Sequence, residues 1–213
     1  MESQLNMSRS VKAFTLAELL IALVVTGIVL SAVATLAFAM SSASRDSDDV
    51  IVKQAQLRQA RLRIAELIRH SKLICAAPGN DLAVWRADDN DDGQINVGEL
   101  VYIERGSSRN MVRLCQFSPT ETDSVPLANL RVATMKAYLV SRYLEVYVPL
   151  IPACSDVQFD FHGENPPFTR WLTVSFELSE SGVIHRYEMS AALRAWAGNL
   201  LNADGTALVD DDD

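Results

Sequence analysis

Histidine and cysteine are scarce in this 213-residue sequence, with three of each. His70, His162 and His185 do not fall into the H-E-x-x-H spacing of a zinc hydrolase. The sequence also lacks a G-x-S-x-G nucleophile elbow and a glycine loop that would cradle phosphate. Catalysis has no motif to rest on, so the chain reads as a non-enzyme. Basic residues are few as well: Lys and Arg total 19 against 27 Asp and Glu, for a net charge of −8. A phosphate backbone is held by clustered Lys and Arg, so no nucleic-acid partner is expected. No internal repeat is visible. Length and composition allow one membrane segment and one modest globular domain.

The one long hydrophobic run starts near the amino terminus. Lys12-Ala13 precede Phe14-Thr15-Leu16-Ala17-Glu18, and an uncharged apolar run continues through Met40. Leu19 to Met40 is long enough to cross the roughly 30 Å hydrocarbon core of a bilayer as a helix. A secretory signal has a shorter apolar region, about 7–15 residues, followed by a small-residue cleavage site. Here the small residue precedes the run. Glu18 sits where the run begins, and an ionised side chain costs roughly 2.5–3.5 kcal/mol at the bilayer centre. That cost points to a role for the acid. Arg9 and Lys12 come before the run, while Arg45 is followed by Asp46, Asp48 and Asp49. The basic residues place the amino terminus in the cytoplasm and the rest outside.

Ala13-Phe14-Thr15-Leu16-Ala17-Glu18 resembles the type IV prepilin processing signal: a small residue, Phe, Thr, Leu, any residue and Glu, then a hydrophobic helix. The resemblance implies cutting by a prepilin peptidase between Ala13 and Phe14 and methylation of the new amine on Phe14. It also implies that the helix stays with the mature protein. Glu18 would then be the acid that pairs with the free amine of a neighbouring subunit. The residue before the cut is usually Gly in that family and is Ala13 here.

Beyond the small residues Ser41 to Ser44, helical periodicity resumes. Val50, Ile51, Leu57, Ile64, Leu67, Ile68 and Ile74 recur at spacings of three, four and seven, until Pro78-Gly79-Asn80 stops the pattern. Strand-like runs follow at 82–85, 100–103, 111–117, 144–149, 157–161, 171–178 and 183–189. The last two are joined by Ser179-Glu180-Ser181-Gly182, which reads as a hairpin link. Leu127 to Val140 carries a helical spacing, and His162 to Arg170 reads as a loop. The expected organisation is a leader at 1–13, a membrane and assembly half-helix at 14–40 and an amphipathic half-helix at 41–77. A β-rich head follows at 78–197, with an acidic disordered tail at 198–213.

Asp88 to Glu99 satisfies the calcium-loop pattern D-x-[DN]-x-[DN]-G-x5-E at every specified position. Oxygens at positions 1, 3 and 5 converge, Gly at 6 permits the turn, position 7 offers its carbonyl, and Glu at 12 closes the sphere. The ligand set is Asp88, Asn90, Asp92, the Gln94 carbonyl, Asn96 through water, and Glu99. The flanks look like strands, so the loop reads as a structural clip for calcium, with an affinity of roughly 10⁻⁴–10⁻³ M. Without an ion, four aspartates would repel one another in a tight turn. Cys75, Cys115 and Cys154 allow three single pairings, and their spacing does not choose among them. One disulfide and one free thiol are expected outside the cytoplasm.

The layout as a whole resembles a minor pseudopilin of the type II secretion system, particularly the J type, or the similar minor pilins of type IV pili. The fold this implies is α+β and pilin-like: a long amino-terminal helix packed on an antiparallel β-rich head. The role it implies is structural, in a filament that supports protein secretion. Its partners would be other pilin or pseudopilin subunits, the prepilin peptidase and the inner membrane, with a single pass and an extracytoplasmic head. The rival reading is a membrane-anchored, calcium-dependent binding or adhesion module that never polymerises.

Overall fold

A computed structural model of the protein describes residues 15–106, 108–151, 153–180 and 182–209, and the side chains of 43–50 and 180 lie outside that description. The chain forms two compact units, Met1–Asp49 and Val50–Asp213. Helix α1 (Leu16–His70) contributes to both.

In the first unit α1 is apolar and uncovered. The stretch Leu16–Ser42 is long and apolar enough to cross a membrane and buries none of its surface in the protein. The hydroxyls of Thr26, Ser31, Thr35 and Ser42 are satisfied within the helix. Thr26 donates to the Ala22 carbonyl at 2.6 Å, Ser31 to Ile28 at 2.8 Å and Thr35 to Ser31 at 2.8 Å. A lipid-facing helix must satisfy its polar groups internally, and these do so.

The second unit is built round a five-stranded antiparallel sheet in the order β1 (Leu73–Ala76), β2 (Asp81–Trp85), β3 (Leu100–Glu104), β4 (Val112–Phe117), β5 (Glu145–Ile151). A second antiparallel sheet contains β6 (Ser155–Asp160), β7 (Trp171–Glu180) and β8 (Val183–Ala192). Successive side chains on a strand point to opposite faces, so one strand can serve two cores. Leu82, Val84, Val101, Ile103 and Leu114 face one core, where Ala60, Ile64 and Ile68 of α1 meet Val174, Phe176 and Leu178 of β7. Ala83, Trp85, Leu100, Tyr102, Cys115 and Phe117 face the other. That core is closed by Ile95 and Val97 of the acidic loop and by the short helices α2 (Leu127–Leu130) and α3 (Ala133–Arg142). Strands β2 and β3 of this middle sheet are buried on both sides, whereas β5 at its edge is largely exposed.

Ions also clamp α3 to the sheet. Lys136 pairs with Asp81 at 2.8 Å and with Glu104, which Arg113 also engages. Burial alone would lower the Lys136 ammonium, but its bonds to Asp81 and Glu104 hold it above its ordinary value. A buried carboxylate needs such partners, because leaving it unpaired costs several kcal/mol.

Two expected boundaries move. The amphipathic helix was expected to reach residue 77, yet α1 ends at His70 and Ile74 lies in β1. Leu73–Ala76 and Asp81–Trp85 pair in antiparallel register, with Ile74 opposite Val84. Pro78-Gly79-Asn80 is therefore a hairpin turn, closed by the Asp81 amide donating to the Pro78 carbonyl at 3.2 Å. The buried stripe of α1 is Leu57, Ala60, Ile64, Leu67 and Ile68, while Ile51 is exposed. The segment at 198–213 was expected to be disordered, but it is ordered as far as Val209. Leu201 and Leu208 bridge and pack on the second core. Asn202 Oδ1 accepts from the amides of Thr206 and Ala207, and Arg131 donates to the Gly205 carbonyl at 2.6 Å. Asn, Gly and Asp there make a turn, and the leucines anchor it.

Ile68 of α1 is fully buried in the core to which both sheets contribute. Ile68→Ala in the full-length protein is expected to lower the unfolding free energy by about 2–5 kcal/mol. Denaturant unfolding followed by tryptophan fluorescence measures this. A loss below about 1 kcal/mol would mean that this face does not hold the helix.

Candidate functional sites

The first site is the start of α1. Leu16 opens the helix, so Thr15 occupies the capping position and Glu18 the third helical one. The Glu18 amide donates to Thr15 Oγ1 at 3.3 Å, and the Thr15 amide donates back to Glu18 Oε2 at 3.1 Å. The Thr15 hydroxyl also reaches Glu18 Oε2, at 3.2 Å. This is a reciprocal capping box, and it places a carboxylate at the positive end of the helix dipole. The acid stands out in the sequence by its place in an apolar run, whereas its local partner Thr15 does not. The signal was present as T-x-x-E ahead of an apolar run. Ala13 and Phe14, the expected cleavage pair, lie outside the described residues.

The second site is the acidic loop between β2 and β3. Its first half coils on its own side chains. The Asp92 amide donates to Asp88 Oδ1 at 3.1 Å and to Asn90 Oδ1 at 3.2 Å. The Gln94 amide donates to Asp92 Oδ1 at 2.8 Å. The Asn90 and Asn96 carboxamides both donate to Asp92 Oδ2, at 2.8 and 3.0 Å. The bond from Asn96, then that from the Gln94 amide, hold the Asp92 carboxyl below its ordinary value. Gly93 turns the chain at φ 70°, in the left-handed region that favours glycine.

The second half of the loop is fixed by burial. Glu99 is 4% exposed. Its Oε2 accepts from Trp85 Nε1 at 3.0 Å and from the Asn96 amide at 3.3 Å, and its Oε1 accepts from the Asp89 amide at 2.6 Å. A short 3-10 turn, Val97–Glu99, lies against the 118–123 segment. A Cβ on Gly98 would stand 2.7 Å from the Ser118 carbonyl, so no larger residue fits without movement. Asp88 is tied to the end of α1 by Lys72, whose Nζ lies 3.2 Å from Asp88 Oδ2 and 5.5 Å from the Trp85 ring centre.

The expected calcium ligands are thus neighbours in space, but they do not form a finished cage. Among the described residues, no three His, Cys, Asp or Glu side chains gather as a metal-holding group. Asp88, Asn90, Asp92 and Asn96 share one hydrogen-bonded turn. Glu99 is drawn into the core by Trp85 and meets that turn through the Asp89 and Asn96 backbone amides.

The three cysteines are free thiols, which corrects the expected disulfide. Cys75 and Cys115 share one face of the middle sheet, on β1 and β4, with β2 and β3 between them. Three strand spacings are about 14 Å. A disulfide tolerates a Cα separation no greater than about 7 Å. Cys154 packs on the opposite core. Burial pushes the Cys75 thiol up to about 12 and the Cys115 and Cys154 thiols up to about 11. Of the histidines, His162 bonds through Nε2 to Thr173 Oγ1 at 2.7 Å, while His70 and His185 are exposed.

Residues 8–34 match the family model described as the prokaryotic N-terminal methylation motif. The match supports a pilin-type protein, structural rather than enzymatic, and fits a single-pass membrane anchor. It implies processing by a prepilin peptidase and assembly with other pilin subunits. Neither the curated proteins nor the solved structures contain a match to the chain.

Under non-reducing conditions the unfolded protein is expected to take three maleimide labels, and the folded protein one, at half-exposed Cys154. Thiolate is the reactive form, so labelling of Cys154 should rise about tenfold per pH unit between pH 7 and 9, well below its raised value. Mass spectrometry counts the labels. One label on the unfolded chain would reveal a disulfide.

Proposed function

We propose that this chain is a minor pseudopilin-like subunit of a type II secretion or type IV pilus-like filament, in which it supports protein secretion. The observation that carries the reading is the coincidence of the methylation motif with an apolar helix that the protein leaves uncovered. An apolar surface of that length has two stable environments, lipid and a bundle of like helices. Insertion in the inner membrane with a cytoplasmic amino terminus supplies the first. Assembly supplies the second.

In this reading a prepilin peptidase cuts between Ala13 and Phe14 and Phe14 is methylated. Glu18 then has two jobs. It caps its own helix through Thr15, and its charge meets the amine of a neighbouring subunit, which offsets its desolvation. The two jobs are separable, because Gln at the third helical position preserves a capping box while removing the charge.

Amino-terminal mass spectrometry of the membrane fraction is expected to find N-methyl-Phe14. An intact start at Met1 or Met7 would overturn the reading and favour the non-polymerising adhesion module. Glu18→Gln is expected to leave the protein inserted in the membrane while reducing its recovery with other subunits after cross-linking. Glu18→Ala additionally loses the hydrogen bond from the Thr15 amide, about 0.5–1.5 kcal/mol. Full recovery of the Gln variant would reduce Glu18 to a cap and remove its assembly role.

A further inference from the structure

We propose that the 88–99 loop binds one calcium ion in exchange for the Lys72 ammonium at Asp88, so that Lys72 is a built-in competitor that sets how tightly the ion is held. Three observations combine.

The first is a buried acceptor with nothing to accept. Asn96 is 2% exposed and its Oδ1 has no hydrogen-bond partner among the described residues. The same carboxamide is fixed at the acidic turn by Nδ2 donating to Asp92 Oδ2 at 3.0 Å. The orphaned oxygen therefore stands beside that turn, and a buried polar atom without a partner costs about 1–3 kcal/mol. A cation at the turn supplies the partner.

The second is the set of donors now occupying the carboxylates. Asp88 Oδ2 is covered by Lys72, and Asp92 Oδ2 by the amide nitrogens of Asn90 and Asn96. Each positive or partly positive group sits on an oxygen that the calcium-loop pattern assigns to the ion. Rotating the Asn90 carboxamide by half a turn presents oxygen in place of nitrogen, and Asn96 already carries its free Oδ1 beside the turn. Withdrawing Lys72 frees Asp88, whose side chain is only 7% exposed. The released ammonium moves off Asp88 and stays within reach of the Trp85 ring. Among the described residues Glu99 Oε1 accepts only the Asp89 amide and retains a lone pair for the ion.

The third is charge. Asp88, Asp89, Asp91, Asp92 and Glu99 are close in sequence, and the cations paired with them are Lys72 and Arg86. Carboxylates in this excess, with carbonyl and carboxamide oxygens beside them, suit a hard divalent ion that takes six to eight oxygens. Calcium accepts the irregular geometry of such a loop, whereas magnesium demands a near-ideal octahedron.

Lys72 gives the site a second property. Its backbone joins the end of α1 to β1: its amide donates to the Trp85 carbonyl at 3.0 Å and its carbonyl accepts from Ala197 at 2.9 Å. The competitor is thus held by the helix–sheet junction and not by the loop. Ion affinity is coupled to the way α1 is seated on the head.

The test uses the full-length protein in detergent micelles, titrated calorimetrically with calcium chloride alone. Terbium luminescence excited through the tryptophans gives a second readout. One ion per chain is expected, with a dissociation constant on the order of 10⁻⁴–10⁻³ M. Lys72→Met keeps the stem over Trp85 and removes the competitor. It should bind roughly fivefold tighter, the strength of a partly exposed ion pair of about 1 kcal/mol. Asp92→Asn should lose binding while its melting curve in chelator matches that of the parent protein. Asn90→Ala replaces it if that variant does not fold. Equal or weaker binding by Lys72→Met would overturn the exchange. Unchanged affinity in a folded ligand variant would overturn the site. So would the lack of heat and terbium emission at about 10 mM ion, tenfold above the expected range.

Discussion

Burial of β2 and β3, in the middle sheet, on both faces is the constraint on which the rest of the head depends. A strand with one solvated face alternates apolar and polar residues, but β2 and β3 carry apolar residues on both sides. Each face must then be covered by a different partner. One is taken by α1 and the second sheet, the other by α2, α3 and the acidic loop. The loop is therefore not a free surface turn. Ile95 and Val97 anchor it in the second core, and Glu99 is drawn inward to Trp85. That anchoring brings Asp88 to Lys72 at the end of α1.

The first unit obeys the opposite constraint. Over Leu16–Ser42 its helix has no protein cover, Thr26, Ser31 and Thr35 are tied to their own backbone, and Glu18 is engaged in its own cap. A charge at the start of a lipid-facing helix is expensive unless it is used. Capping uses it locally, and pairing with a neighbour's amine would use it between subunits. The methylation motif overlaps this stretch and ends at residue 34, within the apolar run. The helix interior beyond it is generic hydrophobic sequence, which suits lipid and like helices equally.

Much of the head was legible because strand alternation and turn residues are local signals. The runs at 82–85, 100–103 and 171–178 became β2, β3 and β7 with small shifts at their ends. Two errors share one cause. Leu73–Ala76 continued a helical spacing, and only pairing with β2 across the Pro78 turn made it a strand. Asn202 to Thr206 had the composition of a disordered tail, and only the packing of Leu201 and Leu208 on a distant core ordered it. The cysteines were a third case. Their pairing depends on which strands separate them, and spacing along the chain carries no such information.

By itself the sequence determined the membrane-length helix, its processing motif, the cap at Thr15 and Glu18, and the spacing of the acidic loop. Each of these is written in residues within one or two turns of one another. Tertiary structure alone decided where α1 stops, that the cysteines stay apart, and that Glu99 faces Trp85. It alone brought the ammonium of Lys72 to Asp88, sixteen residues away. Those outcomes depend on which surfaces remain to be covered once the middle sheet has formed, and that is a property of the assembled core and not of any segment.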